Sequence, residues 1–153
     1  MNNLYKMTDE EKIEMMSHVG YMLSIVRDTM LEGLNHRTLS LVDASDDEFL
    51  KFGYMLIVNG IDPDANKVIL QNLVINEIND FERKKKRIQM EAILAIQHKD
   101  ALNKASLIIL SYFGLAFRSE FIRLLNNYDK ELCETIFTGD EFHRYNIDNF
   151  LKI

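Results

Sequence analysis

The sequence predicts an all-α protein, a single-domain helical bundle of about five to six helices in which the first and third helices are long. The 153 residues include one proline and six glycines, which is too few for a turn-rich β fold. Apolar residues recur at three- and four-residue spacing along most of the chain. No segment shows convincing period-two alternation, and the 47% apolar and 27% charged composition is that of an ordinary globular protein.

The first helix is predicted to begin after Thr8, because Glu11 three residues later completes a capping box. Gly33 weakens the helix near its end, and the segment 39–45 is the predicted first loop. The apolar residues form a narrow seam of the kind found on one side of a helical hairpin: Met16, Val19, Leu23, Val26, Met30 and Leu34.

A short second helix is predicted from Asp46 to Val58, with Ser45 and Glu48 as its capping box. Its apolar face contains Phe49, Phe52, Leu56 and Ile57. The pair Asn59-Gly60 can adopt the left-handed conformation that ends a helix. Asp62-Pro63 then begins the third helix, with the acid as cap and proline at the first helical position.

The third helix is predicted to continue to about His98. The basic run 83–87 interrupts its apolar stripe, which contains Leu70, Leu73, Val74, Ile78 and Phe81 before the run and Ile88, Ile93 and Ile96 after it. Residues 100–153 are predicted to form the C-terminal helices: one from Asp100 to Leu125, one from Tyr128 to Phe137, and a last short helix capped by Asp140. Residues 146–153 favour neither helix nor loop.

Composition limits the function classes. The net charge is −6, and acids outnumber bases at both ends of the chain, which argues against a general nucleic-acid binder. The N-terminus lacks the apolar stretch of a secretory signal. The longest uncharged run, between Lys104 and Arg118, would reach only about 20 Å as a helix and is predicted to be a core helix rather than a membrane span. We expect a cytoplasmic protein.

The sequence predicts no catalytic, cofactor-binding or metal-binding residues. It contains no Gly-x-Gly phosphate loop, no Gly-x-Ser-x-Gly elbow and no Glu-x-x-His metal motif. The pairs Glu14/His18 and Glu32/His36 have helical spacing, but they would lie about 27 Å apart on a straight helix and could not share an ion. Cys133 is predicted to be a buried structural thiol, since its flanking carboxylates disfavour a thiolate.

Two charged segments are candidate partner-binding sites. The basic run Arg83-Lys84-Lys85-Lys86-Arg87 is consistent with a solvated helix surface, an acidic protein partner, or nucleic acid or an anionic membrane. The acidic run Asp46-Asp47-Glu48 is consistent with helix capping or with partner binding. The methionines of the first helix, Met15, Met16, Met22 and Met30, suit either core packing or an adaptable binding surface.

The segment Tyr21 to Lys86 resembles the cytoplasmic part of the MotA family of flagellar stator proteins. Three elements carry the resemblance: Glu32-Gly33-Leu34, Asp46-Asp47-Glu48-Phe49-Leu50 and Asn59-Gly60-Ile61-Asp62-Pro63. The family's transmembrane channel region has no counterpart, so we do not expect proton conduction. The resemblance implies that Arg37 and the acids 46–48 contact oppositely charged residues of a rotor protein. The family's acidic residue after Glu-Gly-Leu is replaced here, which argues against conventional torque-generating contact.

The leading hypothesis is a non-enzymatic interaction protein that acts as a stator-like adaptor, chaperone or regulator in the flagellar motor, with a stator or rotor protein as partner. One alternative is a small helical enzyme or metal-binding bundle. The other is a structural homo-oligomer without a flagellar role, in which the first helix associates with itself.

Overall fold

The computed structural model describes residues 7–33 and 46–137, and within them the chain forms seven α-helices, one 3₁₀ helix and no strand. The all-helical prediction is confirmed, although the helix count exceeds the predicted five to six. The α-helices are α1 Asp9–Glu32, α2 Glu48–Val58, α3 Pro63–Ile75, α4 Asp80–His98, α5 Leu102–Ser111, α6 Arg118–Tyr128 and α7 Lys130–Phe137, and the 3₁₀ helix is Leu115–Phe117.

Helix boundaries follow local capping chemistry. The Thr8 hydroxyl accepts from the Glu11 N–H, and the Glu11 carboxylate accepts from the Thr8 N–H, each at 3.1 Å, so the predicted capping box of α1 is confirmed. Asp62 caps α3 through the Ala65 N–H, with Pro63 at the first helical position. Gly60, at φ +74°, ends α2 as predicted, and the Ile61 N–H reaches the Leu56 carbonyl at 3.0 Å.

Several sequence-based boundaries are wrong. The predicted third helix is two helices, because residues 76–79 separate α3 from α4 and Asn79 caps the second through the Glu82 N–H. The predicted fourth helix is also broken, since Gly114 takes φ +84° after α5. The cap of α2 is Asp47 rather than Ser45. The predictions for residues 34–45 and 138–153, including Leu34, Ser45, the first loop and the last short helix, lie outside the described residues.

The chain divides into two compact units, one made of residues 1–21 and 106–153 and the other of residues 22–105. Both boundaries fall inside helices, one in α1 and one in α5. The prediction of a single domain stays a prediction.

In the unit of residues 22–105, α2, α3 and α4 form an antiparallel arrangement. The N-terminal end of α2 meets the middle of α4 through Asp47 and Gln89, and the connection after α2 meets the end of α4 through Ile61 and Gln97. Helices α2 and α4 therefore run in the same direction, with α3 antiparallel to both. The largest fully buried side chains of this unit are Met22, Leu23, Leu50, Leu70, Ile88 and Ile93.

Two amide side chains, Asn66 and Gln97, fix the end of this arrangement. The Asn66 Nδ2 donates to Gln97 Oε1 at 2.7 Å, and the Gln97 Nε2 donates to the Ile61 carbonyl at 2.7 Å. Asn66 is fully buried and Gln97 is half-buried, so these bonds are partly shielded from water. They hold the α2–α3 connection against the last turn of α4.

In the other unit, a tilted aromatic series forms part of the core. The ring centroids of Phe113 and Phe117 are 5.8 Å apart, as are those of Phe113 and Phe121. The Tyr128 ring packs so closely on Gly20 of α1 that a Cβ at Gly20 would collide with it. Cys133 is buried, which confirms the predicted structural thiol, and its Sγ lies 3.7 Å from the Ile122 carbonyl.

The seam of α1 is wider than predicted. Met15, Met22 and Ile25 are buried together with the predicted Met16, Val19, Leu23 and Val26, whereas Met30 is 50% exposed. Three of the four clustered methionines therefore serve core packing. Among the described helices, none alone has the length and apolarity to cross a membrane. A bent pair, Leu102–Ser111 with Leu115–Tyr128 at 112°, meets both criteria only when taken together.

Candidate protein-docking site

The acidic run divides into one structural and two exposed residues. Asp47 Oδ1 accepts from the Leu50 N–H at 3.0 Å and so caps α2, while its Oδ2 accepts from Gln89 Nε2 at 2.6 Å. Asp46 and Glu48 are exposed. Asp47 is thus engaged within the fold, and Asp46 and Glu48 keep accessible carboxylates. Arg37, the remaining candidate of this region, lies outside the described residues.

The basic run is not a uniform charged surface, because two of its members hold the α3–α4 connection. The Arg83 guanidinium donates to the Glu77 carbonyl at 2.9 Å, to the Ile78 carbonyl at 3.2 Å and to Asp80 Oδ1 at 2.8 Å. The Lys86 Nζ donates to Glu77 Oε2 at 2.8 Å. The carbonyls at the end of a helix have no partner within the helix. Here the Arg83 guanidinium donates hydrogen bonds to carbonyls of the connection that water would otherwise supply.

The other three basic residues, Lys84, Lys85 and Arg87, are also half-buried. Burial lowers the pKa of Lys84, and the positive charge of Arg87 adds to this effect. A fully solvated helix face would leave all five side chains exposed. Lysine and arginine can bury their stems and keep their charged ends in water, so the solvated-surface interpretation of the run stays a prediction.

Glu48 and Lys86, one from each predicted segment, meet in an open groove of about 440 Å³ beside α2 and α3. We call it the Phe52 groove. Its apolar walls are Phe49, Phe52 and Leu73, and its charged edge is Glu48, Glu77 and Lys86. Phe52 is half-buried and Leu73 is 37% exposed, so the walls are accessible from solvent. A groove of this kind can take an anchoring side chain from a partner.

The groove carries a net negative charge. Lys86 neutralises Glu77, since their 2.8 Å hydrogen bond and the lysine charge hold the pKa of that carboxyl below its usual range. Glu48 forms no ion pair with another residue of the described segments. A cationic group on a partner would thus find an unneutralised carboxylate next to two aromatic side chains.

Helix α3 and the connection after it expose four large apolar side chains, which we call the α3 face. Val68 is 57% exposed, Leu73 37%, Ile75 68% and Ile78 90%. Leu73 and Ile78 belong to the apolar stripe that the sequence predicts, and the structure leaves both of them exposed. Only Leu70 and Val74 of α3's large apolar residues are fully buried on the opposite side. No charged residue occurs between Lys67 and Glu77, so the α3 face presents uncharged side chains to solvent.

The exposed apolar residues concentrate near this site. Of twelve large apolar side chains that the described segments expose, six lie between Met55 and Ile78. These six lie on α2, on α3 and in the connection after α3. Scattered exposed apolar residues are normal, whereas a concentration on neighbouring elements is typical of an interaction surface. The sequence contained this signal in the uncharged run 68–76, but helical spacing alone did not show which of its apolar residues are exposed.

Metal chemistry finds no geometric support in this part of the chain. Within residues 7–33 and 46–137, no three histidine, cysteine or acidic side chains come close enough together to hold an ion. His36, which the second Glu/His pair requires, lies outside those ranges.

Comparison with known proteins assigns the chain to no family. No protein-family model matches the chain, and neither a curated protein nor a solved structure is significantly similar to it.

Proposed function

We propose that the protein is a non-enzymatic interaction protein that binds a partner protein through the α3 face and the Phe52 groove. The observation that carries the proposal is the exposure of Val68, Leu73 and Ile75 on α3 and of Ile78 in the connection that follows it. Burying such side chains against a partner contributes about 25 cal/mol for each Å² of apolar surface removed from water.

The partner's chemistry follows from the groove. Glu48 supplies an unneutralised carboxylate, and Phe49 and Phe52 supply aromatic walls. Asp62 and Asp64 add exposed acids at the start of α3. The complementary surface is an amphipathic helix with apolar residues on one side and an arginine or lysine beside them. The protein's net charge of −6 favours the approach of such a basic partner.

The resemblance of residues 21–86 to stator cytoplasmic regions suggests where such a partner is to be sought. Both the α3 face and the Phe52 groove lie within those residues. We therefore propose a stator-like adaptor, chaperone or regulator of the flagellar motor that binds a stator or rotor component.

The test measures binding of the purified protein to the cytoplasmic domain of a stator protein and to a rotor protein from the same organism, by biolayer interferometry. We expect Val68→Asp and Ile75→Asp to weaken binding by about tenfold or more, since each places a charge in an apolar interface. Glu48→Lys should weaken binding further and reverse its dependence on salt. Leu115→Asp is the matched control, because Leu115 is 76% exposed but lies outside α3.

Two outcomes would overturn the proposal. If neither protein binds, the flagellar role is wrong. If the α3 variants and Leu115→Asp behave alike, the α3 face is not the docking site. Light scattering over a range of concentrations tests a second copy as the occupant: a dimer that Ile75→Asp dissociates would assign the face to self-association.

A further inference from the structure

A second, smaller cavity lies between the C-terminal turns of α1 and α4, within the unit of residues 22–105. We call it the Thr29 cavity. Its volume is about 290 Å³. Most of its lining is apolar, supplied by Val26 and Met30 from α1 and by Ala95 and Ile96 from α4. An apolar cavity of about 150 Å³ is enough for a benzene ring, so this one can hold a ring with a substituent.

The cavity contains one buried polar group without a partner. Thr29 is only 8% exposed, and its hydroxyl Oγ1 makes no hydrogen bond within the described part of the chain. Its backbone carbonyl is satisfied, since it accepts from the Gly33 N–H at 2.7 Å. The hydroxyl of a threonine in a helix ordinarily donates a hydrogen bond to the backbone carbonyl one turn earlier. A buried hydroxyl left unbonded destabilises the fold, and a ligand that bonds it removes that penalty.

The polar edge of the cavity contains two charged residues, Asp100 and Lys99. Asp100 lines it, and the Asp100 Oδ1 accepts from the Lys104 Nζ at 2.9 Å. The Asp100 side chain is 16% exposed and that of Lys104 is 61% exposed, so the pair lies at the protein surface. Lys99 also lines this edge, but its side chain is exposed, so its ammonium stays in water and the enclosed part of the cavity holds no unpaired charge. The recognition chemistry that remains is one hydroxyl among apolar side chains.

We propose that the Thr29 cavity binds a small neutral organic molecule with an apolar body and one hydroxyl or carbonyl group. The apolar body fills the space between Val26, Met30 and Ile96, and the polar group hydrogen-bonds the Thr29 Oγ1. The site lies apart from the Phe52 groove in its lining residues, so this inference does not depend on the proposed function.

The experiment is an NMR titration of the ¹⁵N-labelled full chain with two probes that differ in one group. The probe p-cresol carries a hydroxyl on its ring, and toluene is the matched control without it. We expect p-cresol to shift the amide signals of residues 26–33 and 95–100 and to bind about fivefold more tightly than toluene, the gain of one hydrogen bond.

Two variants decide the outcome. Thr29→Val removes the hydroxyl and keeps the branched shape, and it should abolish the preference for p-cresol while leaving toluene binding unchanged. Ala95→Met should fill the cavity and weaken the binding of both probes. The proposal is overturned if neither probe shifts these signals, or if Thr29→Val retains the preference. Thr29→Val removes an unbonded buried hydroxyl, so it should fold even if Ala95→Met does not.

Discussion

The buried side chain of Gln89 donates a 2.6 Å hydrogen bond to Asp47, and the same carboxylate caps α2 through the Leu50 N–H. One side chain thus begins a helix and joins it to α4. The two oxygens of Asp47 serve two different elements, and neither is left for a partner protein.

Replacing Asp47 should therefore cost more than an ordinary surface change. Asp47→Ala removes the cap and leaves the Gln89 amide buried without its acceptor, and we expect it to lower the free energy of unfolding by about 2–4 kcal/mol. Urea unfolding followed by circular dichroism measures the change. Asp46→Ala is the adjacent control, and because Asp46 is exposed its effect should stay within about 0.5 kcal/mol. Equal effects of the two changes would contradict this role of Asp47.

The close crossing of α2 and α4 at Gly53 predicts whether an alanine at this position stabilises or destabilises the fold. Glycine to alanine inside a helix normally stabilises by about 1 kcal/mol. Here a Cβ at Gly53 would collide with the Ile93 Cδ1, so we expect Gly53→Ala to destabilise by about 1–3 kcal/mol. In an Ile93→Val background, which lacks that methyl group, the same change should lose most of its cost. Thermal unfolding of the four proteins measures this coupling, and additive effects would disprove the contact.

The ion pair between Glu77 and Lys86 predicts a pH dependence. The hydrogen bond and charge of Lys86 lower the pKa of Glu77 in the folded state. A lowered carboxyl pKa contributes stability above the unfolded-state pKa, and this is lost as the pH falls through the folded-state pKa. Wild type should therefore melt at a higher temperature than Glu77→Gln at neutral pH, and the two should converge in acid.

The control for that comparison is Asp46→Asn, which removes an exposed carboxylate that lies outside the connection. Its melting temperature should follow that of wild type at every pH. A difference between wild type and Glu77→Gln that persists below about pH 3 would assign the effect to side-chain shape rather than to charge.

Cys133 should resist alkylation in the native protein. Burial raises its pKa to about 11, and the charges of Glu134 and Asp129 act in the same direction. At pH 8 about one thiol in a thousand would be ionised, and the folded chain covers it as well. Mass spectrometry after iodoacetamide treatment should find no modified native protein and complete modification in urea, with glutathione as the reactive control thiol. Rapid native labelling would refute the burial of this residue.

Local signals account for the boundaries that the sequence predicted correctly. Thr8 with Glu11, and Asp62 with Pro63, are caps whose partners lie within three residues, so no knowledge of the fold is needed. The break at residues 76–79 contains neither glycine nor proline and was missed. Its signal was Asn79 followed three residues later by Glu82, the spacing of a helix start, in a segment that looked continuously helical.

The candidate site was harder to predict than the fold. Helical spacing identified Leu73 and Ile78 as members of an apolar stripe, but spacing alone does not tell which side of a helix meets the core. The roles of Arg83 and Lys86 depend on the connection that they hold, which the sequence analysis assigned to the interior of a helix. Tertiary contacts determine both the exposure of Leu73 and Ile78 and the roles of Arg83 and Lys86.

The boundaries between the two compact units fall between Tyr21 and Met22 in α1 and between Ala105 and Ser106 in α5. A helix interrupted at such a point loses the backbone bonds of a full turn on each side of the break. A chain cut at either point would therefore leave N–H and C=O groups of α1 or α5 without their helical partners, which makes both points poor places to divide the protein into fragments.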